Sequence, residues 1–220
     1  MNENYNELLY EIEDWLPEIS GISIAAIYLL IWLFVMAIGA ATYLLTAISL
    51  FNMAKSAGHK YAWMAWVPVC NTYLIVMLPG GEFSLFPGFI KFKKRLYAFL
   101  TYLLAPVALM ILEFVIIILA SLFMITGIGA IVSIFLIILF YILVFAMMIA
   151  FTFFGWRFYK DLFDTFNPEK KGTNMAISII GMFGTFVIPF AAFTILVYML
   201  IIMKNKPVYG EGNFYNVSVG

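Results

Sequence analysis

The sequence predicts an all-α integral membrane protein with four full transmembrane helices plus one broken, re-entrant or short fifth segment. Three observations predict it. Apolar runs at 22–51, 96–125, 130–155 and 175–203 each exceed the roughly 20 residues that an α-helix needs to cross a hydrocarbon core about 30 Å thick. No Lys or Arg falls inside them, and Glu113 is their one acidic residue. They are apolar on all sides, and a soluble domain buries helices along one stripe only. Composition agrees: 65% of residues are hydrophobic and 11% charged, with a mean hydropathy of +1.04, whereas soluble domains carry about 25% charged residues.

Along the chain, residues 1–20 hold six acidic residues, Glu3, Glu7, Glu11, Glu13, Asp14 and Glu18. Tyr5, Leu8, Leu9, Ile12, Trp15, Leu16 and Ile19 recur at helical spacing, so this stretch reads as an acidic amphipathic surface helix. Pro17 is expected to end or bend it. Its negative face would be repelled by the anionic inner leaflet, which favours the outer side. The opening is acidic where a secretory signal would be basic, so the first apolar run is expected to be a retained anchor. That run leads to Asn52-Met53-Ala54-Lys55-Ser56-Ala57-Gly58-His59-Lys60, an aqueous exit. The membrane domain is taken to cover 21–204, followed by a polar tail at 205–220.

Residues 61–81 are ambiguous. Pro68 and Asn71 interrupt them, Pro79, Gly80 and Gly81 end them, and Tyr61, Trp63, Trp66 and Tyr73 favour the interface. The segment is either a short span or a broken helix that returns, and the distribution of positive charge arbitrates. Lys and Arg fall at 55 and 60; at 91, 93, 94 and 95; at 157, 160, 170 and 171; and at 204 and 206. With a returning segment and an outer N-terminus, ten of the twelve lie inside; with a spanning one, eight do. The returning reading therefore leads, and it sends the C-terminal tail outside. Residues 126–129 join two spans as an antiparallel hairpin. Trp156 to Lys171 interleaves aromatic and basic residues, as a helix leaving through the cytoplasmic headgroups would. In the last run, Gly181 and Gly184 permit close helix approach.

Few residues carry chemistry. A charged carboxylate at mid-bilayer costs a few kcal/mol, so such a group pairs, reaches water or stays protonated. Glu113 is therefore a candidate proton or ion site, or a polar contact between helices. Asn71 is a second candidate, either lining a cavity or serving the bend at Pro68. The cluster Lys91, Lys93, Lys94 and Arg95 reads as an ordinary stop-transfer and orientation signal, ahead of a site for anionic lipid. One cysteine, Cys70, and one histidine, His59, supply neither a disulfide nor a metal site. No nucleophile–base motif is present, so neither an enzyme nor a cofactor is expected. Zero net charge gives a nucleic-acid partner no electrostatic support.

The stretch Met53 to Leu74, with Trp63, Trp66, Pro68, Asn71 and Tyr73 at fixed spacing, resembles a segment of small multi-pass membrane proteins of Gram-positive bacteria. The resemblance covers a tenth of the chain and implies a bacterial cell membrane; it carries no function. The leading expectation is a non-catalytic subunit or accessory protein of a membrane transport or secretion complex, with the lipid bilayer and a membrane-protein partner or second copy as its contacts. The alternatives are a small transporter or channel using Glu113, and an immunity protein whose acidic outer helix meets a cationic peptide.

Overall fold

The computed structural model describes residues 3–86, 90–123 and 127–209, with side chains from Ile24 onward except at 86, 123, 127, 128 and 189. The acidic face expected for residues 1–20, residue 126 of the loop expected at 126–129 and the tail beyond Tyr209 lie outside what is described. The chain divides into two compact units, Met1–Leu44 and Leu45–Gly220. The described residues are mostly helical, and three stretches are long and apolar enough to cross a membrane: Ile24–Ser56, Arg95–Leu122 and Gly129–Phe166.

The first helix, α1, runs from Glu3 to Ser56. It continues through Pro17, so of the end or bend expected there the end does not occur. Losing one N–H removes a single bond from a ladder that holds on either side. The helix closes with a left-handed Gly58 at φ 71°. The His59 N–H donates to the Ala54 carbonyl and the Gly58 N–H to that of Lys55, the paired arrangement by which glycine satisfies the last carbonyls of a helix.

Residues 61–81 form a 3₁₀ turn, Ala62–Trp66, and a ten-residue helix α2, Pro68–Met77. Pro68 opens α2, where its missing N–H costs nothing. At 1.5 Å per residue α2 is about 15 Å long, half a hydrocarbon core, so it is too short to cross one by itself. Gly80 and Gly81, at φ 66° and 67°, then turn the chain into a two-stranded antiparallel hairpin, β1 (Phe83–Phe86) with β2 (Ile90–Phe92). The all-α class fits the described residues as a whole, with this short hairpin added to it. Hydropathy does not register the strands, because an apolar strand and an apolar helix score alike.

Helix α3 (Arg95–Phe123) and helix α4 (Gly127–Phe166) form the expected antiparallel hairpin. Ser133 donates to the Ala120 carbonyl at 2.9 Å, and the Tyr102 and Phe151 rings meet edge-on at 5.0 Å. These contacts fix a register in which Glu113 stands level with Phe140 and Tyr141. Pro106 lies inside α3, as neighbouring helices permit within a membrane.

The expected fourth span, 175–203, is not one helix. Helix α5 covers Lys171–Phe183 and helix α6 covers Phe193–Ile202. Between them Ile188 is extended, at φ −131° and ψ 108°, the conformation that a following proline imposes. The two short helices double back on each other. A Cβ on Gly181 would stand 2.3 Å from Ile195 Cγ1, and one on Gly184 2.9 Å from Ala191 Cβ, so glycine alone admits the approach.

The core of the second unit gathers at one end of the α3–α4 hairpin. Leu50 and Met53, Leu74 and Val76, Phe83, Phe158, Leu162, Phe163 and Phe166, and Met199 and Ile202 are all fully buried. Residues 158, 162, 163 and 166 make one stripe on the last turns of α4, so a single helix changes from apolar all round to amphipathic as it enters the packed end. Further along the hairpin the large apolar side chains face outward, as at Met110, Phe114, Ile131 and Phe145.

Candidate functional site

The sequence candidates do not converge. Glu113 is exposed on α3, between Met110 and Phe114, which are 68% and 66% exposed. On the helix it lies four residues from Leu109 and three from Ile116, both partly covered, and so flanks the α3–α4 seam. Asn71 is only 7% exposed, within α2. It caps nothing, because Val67 is the N-cap, and its Oδ1 is buried without a hydrogen-bond partner. Tyr73 packs edge-on against Phe99 at 5.5 Å, which places α2 beside the first turns of α3. Glu113 is about 21 Å further along that helix at 1.5 Å per residue. Trp63 is 58% exposed and Trp66 lies 6.5 Å from Phe51. His59 is partly covered, and burial lowers its affinity for a proton below the ordinary imidazole value. Cys70 is free and partly exposed.

The structure instead assembles charges around one member of the basic cluster that the sequence marks first as an orientation signal. Lys91, Lys93 and Lys94 are exposed, but Arg95 is 7% exposed. Its Nη2 donates to Asp161 Oδ2 at 2.8 Å, its Nε to the Gly80 carbonyl, and its Nη1 to the Val76 carbonyl at 3.3 Å. Arg157 approaches the other oxygen of Asp161 at 3.4 Å, and its Nε donates to the Ser84 carbonyl at 2.8 Å. Two guanidinium groups therefore share one carboxylate while fastening α2 and β1 to α4. Arg suits this role because its planar fork offers five donors at fixed angles.

One turn along α4 a second network begins. Lys160 pairs with Asp164 at 2.6 Å, and Asn174 donates to Asp164 at 2.9 Å and to the Asn167 carbonyl at 2.8 Å. The Tyr198 hydroxyl donates to Asn174 Oδ1 and accepts from Asn167 at 2.9 Å. This network joins α4, the start of α5 and the middle of α6, and so holds the doubled-back segment in place. The Val208 N–H donates to the Thr165 carbonyl at 2.8 Å. A cleft of about 440 Å³ opens beside these groups, with Gly80, Glu82, Lys160, Asp161, Asp164 and Lys171 in its wall.

The arrangement is a clamp. Asp161 and Asp164 are matched by nearby cations, and among the described residues no three His, Cys, Asp or Glu side chains gather to hold a metal ion. Part of the clamp is legible in the sequence, since Arg157 with Asp161 and Lys160 with Asp164 fall at the i, i+4 spacing of facing helical residues. Arg95 carries no such signal, because its partner is 66 residues away. No family model, curated protein or solved structure matches the chain.

Proposed function

We propose that this is a multi-pass protein of a bacterial cell membrane, acting as a non-catalytic subunit or accessory protein of a transport or secretion assembly. One observation carries the reading. Within one apolar 18-residue window of each of Ile24–Ser56, Arg95–Leu122 and Gly129–Phe166, the buried share is 0%, 6% and 0%. A transport path or an intramembrane active site needs enclosed space lined by converging polar groups. Windows that bury almost nothing enclose no such space, which supports a chain that serves as one component among others. Purification from native membranes in mild detergent, with mass spectrometry of what is retained, is expected to give a stoichiometric partner. Recovery of an isolated monomer would sink the reading.

Charge distribution supports an orientation for it. With three spans, and with 61–81 and 171–203 both returning to their side of entry, all twelve Lys and Arg lie on one face and the six acidic residues of 1–20 on the other. The tail then lies with the clamp in the cytoplasm, where the sequence reading had sent it outside. Single cysteines at Lys55, Lys94, Lys171 and Lys206, in a Cys70→Ser background, are expected to resist a membrane-impermeant thiol reagent in intact cells and to react once the cells are opened. Labelling of Lys206→Cys from outside would contradict this orientation.

A further inference from the structure

We infer that the face of α3 carrying Glu113 is the docking surface for a transmembrane helix of a different chain, one with a Lys or Arg at matching depth. The inference rests on the subunit reading and names the chemistry of the partner. Glu113 is exposed within a helix whose outward neighbours Met110, Phe114 and Ile117 are all large and apolar. Among the described residues no hydrogen bond or ion pair reaches it. A carboxylate facing hydrocarbon alone is expensive, and residues of this kind pair with groups on other helices.

The counter-charge is not available within this chain. Every Lys and Arg lies outside the apolar runs. Arg95, at the start of the same helix, is about 27 Å away at 1.5 Å per residue and is already held by Asp161. A second copy repeats this deficit, because it too brings no cation to the depth of Glu113. Charge complementarity therefore selects a different chain. The position also suits a helix as occupant. Glu113 flanks the seam of the α3–α4 hairpin, so a third helix laid along that seam buries apolar surface on both sides of the ion pair. Tyr141, exposed and level with Glu113 in the hairpin register, offers a hydroxyl at the same depth.

The test compares the wild-type protein with Glu113→Gln and Glu113→Lys, each purified from native membranes in mild detergent and quantified for co-purified chains. The expected result is a stoichiometric chain with a Lys or Arg in a transmembrane run. Its recovery should fall at least tenfold with either variant and return when Glu113→Lys is combined with replacement of the partner's cation by Glu. That rescue also separates loss of pairing from loss of folding. If Glu113→Gln retains the partner at wild-type level, the docking surface is wrong while the subunit reading stands. Recovery of further copies of this chain alone would overturn the claim of a different partner. A solitary wild-type protein would remove both readings together.

Discussion

Replacing Asp161 with Asn is expected to destabilise the second unit by about 3–5 kcal/mol, the usual cost of removing one partner from a buried ion pair. Asp161 accepts from Arg95 at 2.8 Å and approaches Arg157 at 3.4 Å. Without its charge the two guanidinium groups face each other, and Arg95, at 7% exposure, cannot move into water. The uncompensated cation dominates the loss. Adding Arg95→Met should therefore recover part of the stability, because the orphaned charge goes with it. Thermal or denaturant unfolding of the purified variants in detergent reads both effects. A loss below about 1 kcal/mol for Asp161→Asn, the range of exposed ion pairs, would mean that the pair is effectively solvated.

Phe83→Ala is expected to cost about 3–5 kcal/mol by the same measurement, as truncation of a buried Phe does when its site cannot collapse. The ring is fully buried on β1. It lies 4.9 Å from Phe158, 5.9 Å from Phe154 and 6.0 Å from Phe92. The Arg95 guanidinium sits 5.8 Å from its centroid, so the face of the ring also supports the clamp through a cation–π contact. The contrast is Trp63→Ala. Trp63 is larger but exposed, and its loss should fall within about 0.5 kcal/mol. Equal effects from the two would mean that the hairpin is peripheral and not part of the core.

The spans were legible because length and apolar character decide them. Each of 22–51, 96–125 and 130–155 falls within or overlaps a helix that is long enough to cross a membrane. The run 175–203 misled for a physical reason. Hydropathy sums residues without regard to direction, so two short helices folded back on themselves score as one crossing. Pro189 and the glycines at 181 and 184 were the available signs, and they acquire meaning only when Ile195 and Ala191 are found against those glycines. Of the candidate residues, Glu113 and Asn71 stood out as polar groups in apolar runs, but their separation is a property of the packing of α2 on α3. Arg95 was hidden in a basic cluster whose other members are exposed. Its role depends on a carboxylate 66 positions later, which no local pattern announces.

The contact between the close of α1 and the close of α6 also sets a timetable for the chain's synthesis. The Asn52 amide reaches Met203 sulfur at 3.7 Å across 151 residues, and Leu50 and Met53 share one core with Met199 and Ile202. At roughly 5–20 residues per second on the ribosome, the first helix waits about 8–30 s for those contacts. The α3–α4 pair can settle its register earlier, since both halves leave the ribosome within one short stretch. A nascent chain halted before Phe193 would hold inserted helices around an open, greasy seat at Leu50 and Met53, and quality-control proteases would meet it in that form.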